Sequence, residues 1–243
     1  MIGLEVCVNA DDLQNLGRDV QAARQGGAVR IELCGQMQQD GLTPSVEAMH
    51  IARDAFADVP GMLVMIRPRG GDFCYAMQDL LQMQESLYQA AECGADGVVF
   101  GLLNAEAELD LGPLKRLVDL AHQLSLPVTF HRAFDALRRP EVALEQLIDL
   151  GVRRILSAGT PWDSGQGVTA GLQRLGDYIA QAKDRIEVVA GGGIHQHNLA
   201  QVCEHLAPLG QCWSVHSYSA LLEEGRVSQA RVAEMTARCG PAK

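Results

Sequence analysis

Residues 67–73 read Arg-Pro-Arg-Gly-Gly-Asp-Phe, directly behind the apolar run Leu63-Val64-Met65-Ile66. Arginine is rarely fully buried unless it is paired. Two arginines at a strand mouth, Arg67 and Arg69, therefore need anions, from Asp72 or from a ligand. Gly70 and Gly71 allow a tight turn and close approach of another group. Pro68 fixes φ between the two arginines and biases Arg67 toward an extended conformation. One reading is an Arg–Asp lock that only shapes a loop. The other is a ligand-facing wall, favoured because loop residues at strand ends tend to carry function.

Three further groups of residues suit chemistry. Thr129-Phe130-His131-Arg132-Ala133-Phe134-Asp135 places a proton shuttle, a cation and a carboxylate within five residues of a strand end. Asp135 pairing with Arg132, with His131 merely hydrogen-bonded, is the structural alternative. The repeat Leu4-Glu5-Val6-Cys7 and Ile31-Glu32-Leu33-Cys34 puts a carboxylate and a thiol on the same face of two successive strands. Buried glutamates need partners, and Arg67 and Arg69 are the simplest ones. The result is either an interior salt-bridge ring or a general base tuned by arginine. Two thiols at similar height suit a soft ion such as Cu(I); otherwise Cys7 and Cys34 are small buried apolar residues. Finally Gly191-Gly192-Gly193, Ser157 and His216-Ser217 end later strands, where backbone N–H groups can receive an anion. Glu5, Glu32 and His131 are thus the acid–base candidates. Arg67, Arg69, Asp72, Arg132, Asp135, Ser157, Gly192, Gly193, His216 and Ser217 are the binding candidates. Lysine occurs only at positions 115, 183 and 243, none at a strand end, so a Schiff-base mechanism has no nucleophile.

These residues sit at the ends of strand-like runs that alternate with helical patterns. The strands read as 2–8, 29–34, 62–67, 97–100, 127–131, 153–157, 187–190 and 212–216. Amphipathic stretches lie between them, and 228–239 is helical again. Pro44, Pro113 and Pro140 suit first helical turns; Gly26 and Gly94 suit helix ends. Eight strand–helix units in 243 residues predict a single-domain (β/α)8 TIM barrel over 1–243. A doubly wound open sheet would normally show a nucleotide loop after strand one, and Val8-Asn9-Ala10-Asp11-Asp12 has no such glycines. Alternation puts Leu4, Val6 and Val8 toward the helices and Glu5 and Cys7 into the barrel. The same parity turns Arg67, His131 and His216 inward at the rim where barrel chemistry is built.

A net charge of −10 argues against nucleic-acid binding, which needs a basic face. No apolar run approaches the roughly 20 residues of a membrane span. Met1 leads straight into a strand without a signal-like n-region or h-region, so a cytoplasmic protein is expected. Seven scattered cysteines without Cys-x-x-Cys fit neither a disulfide framework nor a four-cysteine zinc site.

The chain resembles the CutC family of copper homeostasis proteins along nearly its whole length. The motifs that carry this are 4–7, 30–34, Gly41-Leu42-Thr43-Pro44-Ser45, 65–73, 128–135, 191–194 and 215–217. The resemblance implies a cytoplasmic TIM barrel, an oligomer with a dimer expected, a link to copper tolerance, and Cu(I) binding. No organic cofactor is implied. The ligand is then a copper ion, or, on the charge pattern at the barrel mouth, a small anionic metabolite handled by acid–base isomerase or lyase chemistry. Ser157-Ala158-Gly159 stands where the family often has Thr-Ser-Gly, and Tyr218 where it often has a second serine. The link from Ser217 to the last helix looks short, which implies an open mouth.

Overall fold

The computed structural model describes residues 2–239. Lys243, one of the three lysines, lies outside the described residues. Eight parallel strands close into a barrel in sequence order, with the eighth paired to the first. They are β1 (Gly3–Asn9), β2 (Arg30–Cys34), β3 (Met62–Met65), β4 (Gly97–Phe100), β5 (Val128–Phe130), β6 (Arg154–Ser157), β7 (Glu187–Ala190) and β8 (Trp213–Ser217). The helices that return the chain are α1 (Leu13–Gln25), α2 (Val46–Phe56), α3 (Met77–Glu92), α4 (Leu111–Gln123), α5 (Pro140–Asp149), α6 (Leu172–Ala182) and α7 (Leu199–Leu206), and α8 (Gln229–Arg238) closes the ring. No helix among the described residues is long and apolar enough to cross a membrane.

Local chemistry sets the helix starts. Ser45 caps α2 by accepting from the Ala48 N–H at 3.1 Å. Pro140 occupies the first turn of α5, where its missing N–H costs nothing. The Asp96 carboxylate ties three elements together. It accepts from the backbone of Gly61 and Met62 and from Arg53 on α2.

The alternation read from the sequence is the alternation of the fold. Leu4, Val6, Val8, Ile31, Leu33, Val64 and Phe130 are buried between sheet and helices. Glu5, Cys7, Glu32, Cys34, Leu63, Met65 and Val99 are buried on the other face, inside the barrel. The barrel's lower interior is polar. Arg30 donates to Glu5 at 2.8 Å and to Glu187 at 2.6 Å, Ser214 donates to Glu187 at 2.6 Å, and Arg154 donates to Thr129 at 2.8 Å. Every charge in this floor except Arg154 has an opposite charge in contact.

Two strands end earlier than expected. β3 stops at Met65, and Arg67 already belongs to the loop, where its N–H donates to Thr43 Oγ1 at 2.8 Å. β5 stops at Phe130, because His131 caps a 3-10 turn over Arg132–Ala136 through its ring Nδ1. The link from Ser217 to α8 also carries structure that the sequence pattern did not reveal. A small hairpin of β9 (Leu222–Glu223) and β10 (Arg226–Val227) turns at Glu224-Gly225, both with positive φ. Tight hairpins require that geometry.

Candidate functional site

The mouth of the barrel holds a cavity of about 280 Å³. Its floor is Cys7, Glu32 and His216; its walls include Cys34, Met65, Arg67, Phe73 and His131. Cys7 and Cys34 come from neighbouring strands in a register two residues apart, with Cys7 opposite Glu32 and Asn9 opposite Cys34. That diagonal relation still brings the side chains together. One sulfur from each and a Glu32 oxygen all lie within 4.8 Å of one another. Glu5, Glu32 and His216 form a second such group beneath them.

The expected pairing of Glu5 and Glu32 with Arg67 and Arg69 does not form. Glu5 is fully buried and accepts from Arg30 Nε at 2.8 Å and from His216 Nδ1 at 2.9 Å. Those residues are its register neighbours across β1–β2 and β1–β8, closer than any loop arginine. Glu32 meets Cys34 at 3.5 Å and His216 Nε2 at 3.8 Å, and its Oε1 has no partner. Arg67 turns its terminal nitrogens to the carbonyls of Gln39, Asp40, Gly41 and Gly71. Arg69 leaves the cavity altogether. It pairs with Asp72 at 2.9 Å and Asp79 at 3.2 Å and stacks on Tyr75. Asp72 is exposed and also accepts from the Cys74 N–H. For Arg69 and Asp72 the loop-lock reading is the one that fits. β3 ends at Met65, before both arginines, so strand alternation no longer holds them to one face; Gly71, at φ +83°, shapes the loop that follows them.

Asp135 anchors the neighbouring loop. Its buried carboxylate accepts from Arg132 Nε at 2.8 Å, from Ser157 Oγ, and from the Ala158 N–H at 3.0 Å. Ser157 thus faces Asp135 and not the cavity. Ser217 donates to the Ile194 carbonyl at 2.8 Å and is likewise turned away. Gly192 and Gly193 have φ of +84° and +87°, as expected of a tight loop. They line a separate cleft with Gly167, Val168, His195 and Asn198, because the Gly192 carbonyl accepts from Val168. The single anion wall expected from the sequence is therefore divided. Glu32, Arg67, His131, Arg132 and His216 share the central cavity with the two thiols, and the glycine loop opens elsewhere.

Burial and contact set the proton positions. Burial works against a charge on Glu5, but the hydrogen bond from His216 and the charge of Arg30 outweigh it and hold the carboxyl at about 2. Burial pushes Glu32 up to about 8, outweighing the charge of His216 and the hydrogen bond from the Cys34 thiol. His216, despite its burial, is held well above the usual imidazole range by Glu32, Cys7 and Glu5. Cys34 beside it, and then His216, bring Cys7 down to about 6, while the same contact with Cys7 drives Cys34 up. The pair holds one proton between them at neutral pH. Burial and the neighbouring Arg67 bring His131 down to about 3, so its ring is neutral.

The CutC family profile matches residues 2–216. The chain belongs to the CutC family. It is 42% identical over 200 residues to a CutC family protein of Vibrio vulnificus strain CMCP6, covering 82% of this chain and 75% of that one. A CutC family protein of Bacteroides thetaiotaomicron gives 42% over 200 residues, with 82% and 74% covered. Among solved structures, one from Streptococcus agalactiae, described as a candidate copper homeostasis protein CutC, superposes with a TM-score of 0.78 at 28% identity. That match covers 90% of this chain and 99% of the other. The profile ends at His216, so the β9–β10 hairpin and α8 lie beyond it.

Sequence reasoning missed several cavity residues. Trp162 packs over Arg132 at 5.0 Å and edge-on to Phe73 at 5.4 Å. Tyr218 and Met37 also line the cavity. Trp162 lies in a loop and Met37 in a single 3-10 turn, neither with a periodicity to read, whereas Tyr218 was singled out from the sequence only as a departure from the family pattern. Arg30 and Glu187, the floor charges, were available from strand parity.

Proposed function

We propose that this protein is a cytoplasmic Cu(I)-handling protein that takes the ion between Cys7 and Cys34. The observation that carries the reading is the approach of two buried thiols, within 4.8 Å, at the base of an open cavity. Two metal–sulfur bonds of about 2.3 Å in line span about 4.6 Å, within the 4.8 Å that bounds the separation of the two sulfurs. Thiolate and thioether donors select Cu(I) over harder ions. The thioethers of Met37 and Met65 line the same cavity. One of the two thiols, Cys7, is already disposed to ionise.

The surrounding charge also suits the complex. Two thiolates around one Cu(I) carry a net single negative charge. A protonated His216 beside them, and Arg67 on the wall, favour that anion, although either would repel a bare cation. Seven cysteines, all free, suit a reducing compartment and hence the cytoplasm. Anaerobic Cu(I) titration against a competing chelator tests the reading. The wild type should bind one equivalent tightly, and Cys7→Ala/Cys34→Ala should lose it. Unchanged tight binding in the double variant would exclude this site.

A further inference from the structure

The cavity carries polar atoms that a copper ion on the sulfurs does not use. Among the described residues, Arg67 Nε, His131 Nε2 and Glu32 Oε1 are buried without a hydrogen-bond partner. Their residues are only 2%, 4% and 3% exposed, and all three line the same cavity. Buried polar groups in folded proteins are nearly always paired, so three orphans around one space point to an occupant.

The chemistry of the three atoms says what kind. Arg67 is held rigidly, with Nη1 donating to Gln39 at 2.9 Å, Asp40 at 3.1 Å and Gly41 at 3.3 Å, and Nη2 donating to Gly71 at 3.1 Å. These carbonyls orient the guanidinium but bring no full negative charge. Asp72 and Asp79 pair with Arg69, and Glu32 and Asp40, which line the same cavity, make no ion pair with Arg67. A buried cation without a carboxylate needs an anion from outside the chain. His131 supplies a second donor. Its Nδ1 accepts from the Ala133 N–H at 3.2 Å, so the ring proton sits on Nε2. Phe73 holds both groups, with its ring 5.2 Å from the Arg67 guanidinium carbon and 5.1 Å from the His131 ring.

We propose that Arg67 Nε and His131 Nε2 bind the carboxylate of a small hydroxy acid, with its hydroxyl at Glu32 Oε1. Two fixed, buried N–H donors match the two oxygens of a carboxylate. Phe73, Leu156 and Trp162 on the same walls suit a short carbon chain. A cavity of about 280 Å³ is at the small end of ligand sites and suits a small molecule. No sulfur takes part, so the inference stands whether or not copper binds.

Sodium lactate is the probe, with sodium propionate, inorganic phosphate and chloride compared at equal ionic strength, by calorimetry and thermal shift on the full chain. Lactate should bind saturably and raise the melting temperature. Propionate, lacking the hydroxyl, should bind about tenfold more weakly. His131→Asn keeps a capping acceptor for the 3-10 turn but loses the Nε2 donor, and should weaken lactate by about tenfold or more. Glu32→Leu should remove the preference for lactate over propionate. No saturable lactate binding to wild type, tighter binding of phosphate than of lactate, or wild-type lactate affinity in a folded His131→Asn would each overturn the proposal.

Discussion

Replacing Glu5 by glutamine tests whether the polar floor of the barrel holds the site in place. Glu5 is 0% exposed and accepts from Arg30 at 2.8 Å and His216 at 2.9 Å. Burial opposes its charge, yet His216 and Arg30 bring its carboxyl from 4.5 to about 2. At about 1.4 kcal/mol per pH unit, that lowering amounts to about 3 kcal/mol. A lowered acid stabilises fully above its ordinary range, so the whole effect is present at neutral pH and is lost only as pH falls from 4.5 through about 2. Removing one member of a buried pair costs about 3–5 kcal/mol. Arg30 keeps Glu187 at 2.6 Å, which places the loss at the lower end. Urea unfolding followed by circular dichroism at neutral pH reads it directly. With a slope near 3 kcal/mol/M, the midpoint should fall by about 1 M at unchanged slope. A variant within about 1 kcal/mol of wild type would refute the claim that Glu5 clamps Arg30 and His216 together.

Other consequences follow from the same contacts. Cu(I) uptake should release about one proton at pH 8, since Cys7 is ionised and Cys34 is not, and about two at pH 5; calorimetry in buffers of different ionisation enthalpy counts them, and two protons at pH 8 would contradict the shared-proton pair. His131 is held at about 3 against 6.5, so the unfolded chain takes up its proton first and stability falls as pH drops below 6.5. Relative to His131→Asn, wild type should lose up to about 1.4 kcal/mol per pH unit there, measured by urea unfolding; parallel pH profiles would contradict a buried neutral ring. Arg67→Ala strands four carbonyls and should cost about 3 kcal/mol or more, whereas Arg69→Ala, which loses half-exposed pairs, should cost under about 1 kcal/mol. Equal unfolding midpoints for the two variants would show that the heptapeptide's two arginines do not differ as described.

How much was legible in advance depended on the range of the interaction. Alternation with a period of two is local, so the inward positions of Glu5, Cys7, Glu32, Cys34 and His216 could be read from their own strands. The eight-fold strand–helix repeat was legible for the same reason. Partner choice was not. Glu5 lies 25 residues from Arg30 and 211 from His216, and only barrel closure makes them neighbours. Arg67 and Arg69 share parity, yet the chain leaves the strand at Met65, before either of them, which no pattern of apolar residues announces. The carbonyl shell of Arg67 comes from the loop after β2, and backbone carbonyls leave no mark in a sequence. Strands of two residues, as in the β9–β10 hairpin, are too short to show alternation.

Copper K-edge X-ray absorption on the protein loaded anaerobically with one equivalent of Cu(I) tests the central claim most directly. Coordination by Cys7 and Cys34 predicts a first shell of sulfur, with no nitrogen or oxygen at bonding distance. A shell of nitrogen and oxygen, or a sulfur shell that persists unchanged in Cys7→Ala/Cys34→Ala, would contradict it.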